Sequence, residues 1–407
     1  MLFTRFKNLF AIKGYSLFVI CLLLIGMGIS ITSPYLPLFL TDDFGMSAGA
    51  FGVFMAISSL SGVVVNSLIA KHSDNGMDRK WIIIIAALSA ALGYAAYLLF
   101  HNFFILLIFV TVFNGLAAPV MPQIYASAHE SAHASKSIDK TFAISTLRSL
   151  VSLGFLLGPL FGTFILALAG YKGIFLATSA IYLTISSLVF LFLHKPKIAQ
   201  SNTKKKKISD NSWFKNRQIR LPLIAFFFLF VINTVHLIIT PLFIVNELNG
   251  TYRDVGLVVS ICAGLEIPIM LILGSLGKKV SNHTLMIYGC IISVIYYIIL
   301  SISTHPLQLI PAQLLQATFV AIVMGNGLSY FTERLPHSPG LATTIYYNGS
   351  TIGRLAGSLG GGFIAQIAGY RQVFWMCLAL AVFSFFILWI TRSDVEMEVP
   401  TEHTGSV

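Results

Sequence analysis

Twelve long apolar stretches fill most of this chain of 407 residues, and they limit its fold more than any other feature. A helix that crosses a bilayer needs about 20 mostly apolar residues. The weakly alternating segments that form outer-membrane barrels are absent from the sequence. It therefore predicts an all-α membrane protein with 12 transmembrane helices, near residues 15–40, 49–71, 81–100, 103–127, 141–169, 173–194, 220–246, 252–275, 283–302, 307–332, 340–368 and 371–391.

The net charge of +11 reflects membrane topology rather than nucleic-acid binding. If both termini are cytoplasmic, all but five of the 26 Lys and Arg fall in cytoplasmic segments, as the positive-inside rule requires. The largest cluster, Lys204 to Lys207, lies in the long polar stretch 195–219, where basic residues attract anionic lipid. We therefore expect both termini in the cytoplasm, contact with membrane lipids and no nucleic-acid partner.

The sequence does not support an enzyme. Its four cysteines lie in apolar spans without metal-ligand spacing, and no arrangement of serine, histidine and acid is recognisable. A nucleotide-binding loop also fails at Gly277-Lys278, because Ile272 stands where a glycine is needed and Lys279 where Ser or Thr is needed. We predict no metal, no cofactor and no catalytic residue.

The two halves of the chain resemble each other on either side of the polar stretch. We predict an N-terminal six-helix bundle over 1–194, a basic cytoplasmic linker over 195–219, a C-terminal six-helix bundle over 220–394 and a cytoplasmic tail over 395–407. The matches with a spacing of 199 residues are Gly154, Gly158 and Gly162 with Gly353, Gly357 and Gly361, and Ala169-Gly170-Tyr171 with Ala368-Gly369-Tyr370.

Two pseudo-symmetric, like-oriented six-helix halves resemble the layout of the major facilitator superfamily. Short motifs narrow the resemblance to its bacterial sugar efflux transporters: Ala70-Lys71-x-Ser73-Asp74, Met121-Pro122-Gln123, Arg148, Ala263-Gly264-Leu265-Glu266-Ile267-Pro268 and Ala342-Thr343-Thr344. The resemblance implies a multi-pass protein of the bacterial cytoplasmic membrane. It also implies a substrate site between the halves near the bilayer midplane, and proton-driven efflux of sugars such as lactose, glucose and thiogalactosides.

Three charges lie deep in the apolar stretches, where a charged side chain is costly and usually functional. Glu266 is the one acid there, about 21 Å along its helix, and Arg148 lies about 12 Å into the fifth stretch. In the implied fold the fifth and eighth helices face each other. We therefore predict that Glu266 and Arg148 couple transport to protons, pairing in one state and separating in another. A permanent structural ion pair is the alternative.

Polar residues in several spans are candidates for binding a sugar, because amides and hydroxyls both donate and accept hydrogen bonds. Arg354, in the eleventh stretch, either binds substrate through its guanidinium fork or bonds helix carbonyls. The alternative for the others is hydrogen bonding between helices, which amides commonly provide in bundles. The predicted substrate-binding residues are Asn114, Gln123, Asn233, His236, Gln313, Gln316, Tyr347, Asn348 and Arg354.

A further set of residues is predicted to act on conformation. The glycine ladder lets neighbouring backbones approach closely and resembles a motif of exporters. Proline opens a helix at the preceding turn, and the charges after the second span resemble a degraded form of the superfamily's cytoplasmic motif. The set is Gly154, Gly158, Pro159, Pro268, Asp74 and Arg79.

These observations favour a monomeric secondary transporter that moves a small sugar or drug-like molecule in exchange for protons by alternating access. Proton-coupled sugar efflux is the first hypothesis. A multidrug proton antiporter of the same fold is the second, since 33 Phe and 15 Tyr suit apolar drugs. An importer is the third.

Overall fold

The computed structural model describes Leu9 and residues 14–73, 78–134, 140–193, 216–276, 280–335 and 339–396. The regular structure within these ranges is helical, without a strand. The α-helices are α1 Tyr15–Thr32, α2 Leu36–Leu38, α3 Ala48–Ser73, α4 Arg79–Leu99, α5 Phe103–Ala117, α6 Val120–Ala134, α7 Lys140–Phe192, α8 Arg217–Asn246, α9 Tyr252–Leu276, α10 Asn282–Ile302, α11 Leu309–Val320, α12 Asn326–Arg334, α13 Pro339–Ala368 and α14 Tyr370–Glu396. A 3₁₀ turn covers Pro306–Gln308, and π-helical turns cover Phe39–Asp43 and Ala321–Gly325.

Nine helical segments in these described ranges are long and apolar enough to cross a membrane. One of them, Ser149–Phe192, has 44 residues. It contains Gly170 with the non-helical angles φ 63° and ψ −164°, so it holds two of the predicted spans. Helices α9, with 25 residues, and α13, with 30, also exceed the length of one crossing. The predicted all-α membrane architecture is confirmed, and the count of twelve stays a prediction.

The chain divides into two compact units. The first comprises Met1–Thr203 with Pro241–Gly264, and the second comprises Lys204–Thr240 with Leu265–Val407. The predicted bundle boundaries at residues 194 and 220 stay a prediction. The polar stretch 195–219 lies outside the described residues except for its last four positions, and the tail 395–407 lies outside them except for its first two positions.

In the first unit, glycines bring the backbones of α1 and α7 into contact. A Cβ on Gly154 would stand 2.7 Å from the carbonyl carbon of Gly26. The Ser30 hydroxyl lies 2.6 Å from the Gly26 carbonyl oxygen and 2.9 Å from that of Gly154. Only residues without a side chain permit this approach, so the glycines determine which faces of the two helices meet.

The segment Pro241–Gly264 joins the first unit through another glycine. The Tyr35 hydroxyl donates to the carbonyl of Pro159 at 3.1 Å and is also bonded to the hydroxyl of Thr163. Gly256 of α9 packs directly on this pair, since a Cβ there would stand 2.7 Å from the Tyr35 hydroxyl and would overlap Thr163.

The second unit repeats the glycine contact with α8 and α13. A Cβ on Gly353 would stand 2.5 Å from the Cβ of Phe230, and one on Gly357 would stand 2.8 Å from the carbonyl oxygen of Val231. The repeated Ala-Gly-Tyr sequences also share a structural reason, because Gly170 has φ 63° and Gly369 has φ 92°. Left-handed backbone of this kind favours glycine. The repeat in the sequence is therefore a repeat in structure.

We expect Gly154→Ala to lower the melting temperature of the purified protein in detergent. The added methyl has to push α1 and α7 apart, and overpacking of this kind typically costs about 1–3 kcal/mol. Gly360→Ala on α13 is the matched control, because nothing lies within 4 Å of a Cβ there. Alanine also favours a helix over glycine, so this control should melt at or slightly above the wild-type temperature. Equal shifts for both variants would contradict the packing role of Gly154.

Candidate transport site

Glu266 lies on the face of α9 that is turned towards a π-helical turn. Met270, one helical turn further on and on the same face, places its terminal methyl 3.2 Å from where a Cβ of Gly325 would stand. Gly325 ends the π-helical turn Ala321–Gly325, and the carbonyl of Met324 in this turn accepts a hydrogen bond from Tyr346 at 3.1 Å. Such turns inside a helix are frequent at functional sites.

The carboxylate of Glu266 is half-buried. In the part of the chain that the structure describes, no side chain pairs with it or donates a hydrogen bond to it. A carboxyl group without such a partner is available to bind and release a proton. Pro268 lies within α9 and is exposed, and the helix continues through it.

Arg148 lies on α7, but its side chain is outside the described part of the structure. Its pairing with Glu266 therefore stays a prediction. Asp74, from the charged loop after α3, also lies outside the described residues.

Arg354 is exposed on α13, on a face that is turned away from lipid. The large apolar side chains Ile352 and Phe363 are 57% and 62% exposed, which marks the lipid-facing side of the helix. At 100° per residue, Arg354 lies about 160° from Ile352 and about 180° from Phe363. Tyr347, which is 54% exposed, lies seven residues before Arg354 and therefore on the same face.

Three predicted substrate ligands are engaged by neighbouring side chains or backbone in the structure. The Gln123 amide oxygen accepts a hydrogen bond from Arg79 at 2.8 Å. The hydroxyls of Thr240 and Tyr296 lie 2.9 and 3.2 Å from Nδ1 of His236, and this cluster is buried. The Gln313 amide nitrogen donates to its own helix, to the carbonyl of Leu309 at 2.9 Å.

The remaining predicted ligands differ in exposure. Gln316 is 1% exposed, and among the described groups neither of its amide atoms has a hydrogen-bond partner. Asn114 is half-buried, with its amide oxygen 3.6 Å from where a Cβ of Gly93 on α4 would stand. Asn233 is half-buried on α8. Asn348 is exposed, but it lies four residues before Ile352 and so shares the lipid-facing side of α13.

A cluster that the sequence did not indicate lies where α10 begins and α12 ends. Arg334 donates to the carbonyl of Gln218 at 3.1 Å, lies 3.1 Å from Nδ1 of His283 and stacks on the ring of Tyr330 at 4.5 Å. No motif marks this cluster, because Gln218 and His283 are distant from Arg334 in sequence. The bond from Tyr346 to the π-helical turn was not indicated by the sequence either.

The family model of the Major Facilitator Superfamily matches residues 18–306 and 223–406 of the chain. A crystal structure of a mutant of the nucleoside transporter NupG superposes with a TM-score of 0.81 at 12% identity, covering 92% of this chain and 99% of the other. The chain is therefore a multi-pass membrane transporter of the major facilitator superfamily.

Relatives by sequence define a narrower group. The chain is 30% identical to Sugar efflux transporter B of Salmonella typhimurium, over 91% of this chain and 94% of the relative. It is 29% identical to Sugar efflux transporter C of Escherichia coli (strain K12), over 89% and 92%. A multi-drug resistance efflux pump of Streptococcus pneumoniae is more distant, at 26% identity over 89% and 91%. Within the superfamily, the chain belongs to the sugar efflux transporters.

We expect Tyr296→Phe to lower stability without changing the affinity for substrate, because its hydroxyl serves the buried His236 cluster. Loss of a buried hydrogen bond typically costs about 0.5–1.5 kcal/mol, which should appear as a lower melting temperature. Tyr288→Phe on the same helix is the control, since Tyr288 is 53% exposed and should tolerate the change. A higher half-saturation concentration for transport, with an unchanged melting temperature, would instead place this cluster at the substrate.

Proposed function

We propose that this protein exports a sugar or sugar-like small molecule from the cytoplasm in exchange for protons, and that Glu266 carries the proton. The observation that carries the proposal is the half-buried carboxylate of Glu266, which lacks a partner among the described residues. The sugar substrate is supported by the relatives that are named sugar efflux transporters.

The coupling follows from what a carboxyl group does when its access to water changes. Glu266 takes up a proton when its surroundings open to the outside, and it releases that proton when they open to the cytoplasm. Arg148 is proposed to favour release, because a nearby cation stabilises the charged carboxylate. Substrate moves outward in the opposite half of the cycle, so each turnover exchanges substrate for protons.

We propose a monomer in the cytoplasmic membrane of a bacterium, with both termini inside and with the basic stretch 204–207 close to anionic lipid. The protein is proposed to bind and move its substrate without changing it chemically, so it is not an enzyme.

Polar groups on exposed or half-buried faces are the best-supported substrate ligands. In the second unit these are Asn233, Tyr347 and Arg354. Gln123 and His236 are proposed to act indirectly, by holding helices together, because Arg79 bonds the first and the hydroxyls of Thr240 and Tyr296 lie against the second. The amide nitrogen of Gln313 bonds the carbonyl of Leu309 in its own helix.

A multidrug proton antiporter is the second candidate, supported by the 26% identity to a multi-drug resistance efflux pump. The two candidates differ in what they move rather than in how protons drive the movement. Transport of labelled glucose and lactose, with a cationic dye as the drug probe, therefore separates them in one preparation.

We expect Glu266→Gln in proteoliposomes to abolish sugar movement driven by an imposed pH gradient, while exchange of labelled for unlabelled sugar continues. Glutamine keeps the size and polarity of the side chain but does not titrate. Glu333→Gln is the control, since Glu333 is exposed at the end of α12 and glutamine retains the oxygen that accepts from Asn282.

Proton-driven transport that survives in Glu266→Gln would exclude this residue as the carrier. Movement of the cationic dye without movement of either sugar would replace the sugar proposal by the multidrug candidate.

A further inference from the structure

The charges deep in the apolar stretches do not balance. Arg148 and Arg354 are cations there, and Glu266 is the single acid. One carboxylate can neutralise one guanidinium, so one positive charge is left over whichever arginine Glu266 meets. If Glu266 is protonated, both arginines are uncompensated positive charges. An uncompensated charge in this environment is costly, and it is kept where it serves a function.

Arg354 is the arginine whose side chain the structure describes. It has no hydrogen-bond or ion-pair partner among the described side chains, and it is exposed. The glycine ladder Gly353, Gly357 and Gly361 turns one side of α13 towards α8, while Ile352 and Phe363 mark the lipid-facing side. Arg354 therefore projects from a third, polar side of the helix, where water or a ligand supplies its partner.

Tyr347 and Thr351 complete this polar side. Thr351 is half-buried and lies four residues after Tyr347 and three before Arg354, so the three side chains form one row. The Tyr347 ring packs edge-on against Tyr346, with centroids 5.4 Å apart. The hydroxyl of Tyr346 is anchored in turn on the carbonyl of Met324. The aromatic end of the row is thus held by its neighbours.

The dimensions of the row suit a small ligand with two different ends. Tyr347 and Arg354 are separated by about 10 Å along the helix axis. Helical side chains lean towards the N-terminus of their helix, so Arg354 extends towards Tyr347 and shortens the gap. An aromatic ring offers a flat surface for a sugar ring, and a guanidinium forms paired hydrogen bonds with a carboxylate or a phosphate.

We propose that the cargo is an anionic sugar, whose carboxylate or phosphate is bound by Arg354 and whose ring lies against Tyr347. This inference rests on the proposed function and narrows its substrate class. Outward movement of an anion and inward movement of a proton both carry positive charge inward, so an inside-negative membrane potential would drive the exchange.

The test uses the full-length protein in proteoliposomes with three labelled substrates: glucose, glucuronate and glucose 6-phosphate. We expect one of the two anions to have a half-saturation concentration at least about tenfold below that of glucose, as one added charge-assisted contact would give. Comparison of glucuronate with glucose 6-phosphate identifies which anionic group, carboxylate or phosphate, the protein recognises. Transport of the anion should be stimulated by an inside-negative potential.

Arg354→Gln should raise the half-saturation concentration of the preferred anion about tenfold and leave that of glucose within about twofold. Arg354→Lys should recover part of the loss, since it keeps the charge without the planar fork. Arg253→Gln is the matched control, because Arg253 is exposed at the start of α9 and off this row. Melting curves in detergent distinguish misfolded variants, and if Arg354→Gln misfolds, Arg354→Lys decides.

Equal or better transport of glucose than of both anions would overturn the anionic class, while proton-driven sugar efflux would stand. An equal effect of Arg354→Gln on glucose and on the anion would also overturn it. Failure of all three sugars to move would instead remove the proposed function itself.

Discussion

Backbone contact at glycine is the interaction on which the rest of this structure depends. Gly154 on α7 and Gly353 on α13 each bring a neighbouring helix so close that a single methyl group would not fit. Such contact fixes how each helix is rotated about its own axis. Once Gly353 and Gly357 face α8, the positions of Arg354 and Tyr347 follow, because helical geometry leaves them no other side.

Hydrogen bonding in an apolar interior explains which polar residues remain available to a ligand. A buried polar group without a partner is costly, so most of those in the spans bond to other helices or to their own. Gln123 bonds Arg79, and His236 is surrounded by Thr240 and Tyr296. Among the charged residues deep in the apolar stretches, the described residues provide neither Glu266 nor Arg354 with a partner.

The structural neighbours and the relatives by sequence give different information about this protein. Similarity to a nucleoside transporter at 12% identity establishes architecture alone. Similarity to sugar efflux transporters at 29–30% identity establishes the family. The names of the relatives do not fix the substrate. Our proposal of an anionic cargo, rather than a cationic drug, rests on the excess of positive charge among Arg148, Arg354 and Glu266.

Much of the architecture was accessible from the sequence, because span length and glycine spacing are local properties of the chain. The twelve apolar stretches predicted a helical membrane protein, and the repeated Ala-Gly-Tyr indicated two related halves. In the structure, Gly170 and Gly369 both have left-handed backbone. The deep charges were visible for the same reason. A run of consecutive apolar residues is recognised directly in the sequence, and so is a charged residue that interrupts it.

Only the tertiary structure decided which way each polar side chain points and what it meets. Nothing in the sequence distinguishes Tyr347, on the polar side of α13, from Asn348 on its lipid-facing side, since they are adjacent in the chain and 100° apart on the helix. The same holds for Tyr346, whose partner Met324 belongs to another helix. Contacts between distant residues depend on how each helix is rotated about its axis and packed against its neighbours. The local sequence pattern does not specify that rotation.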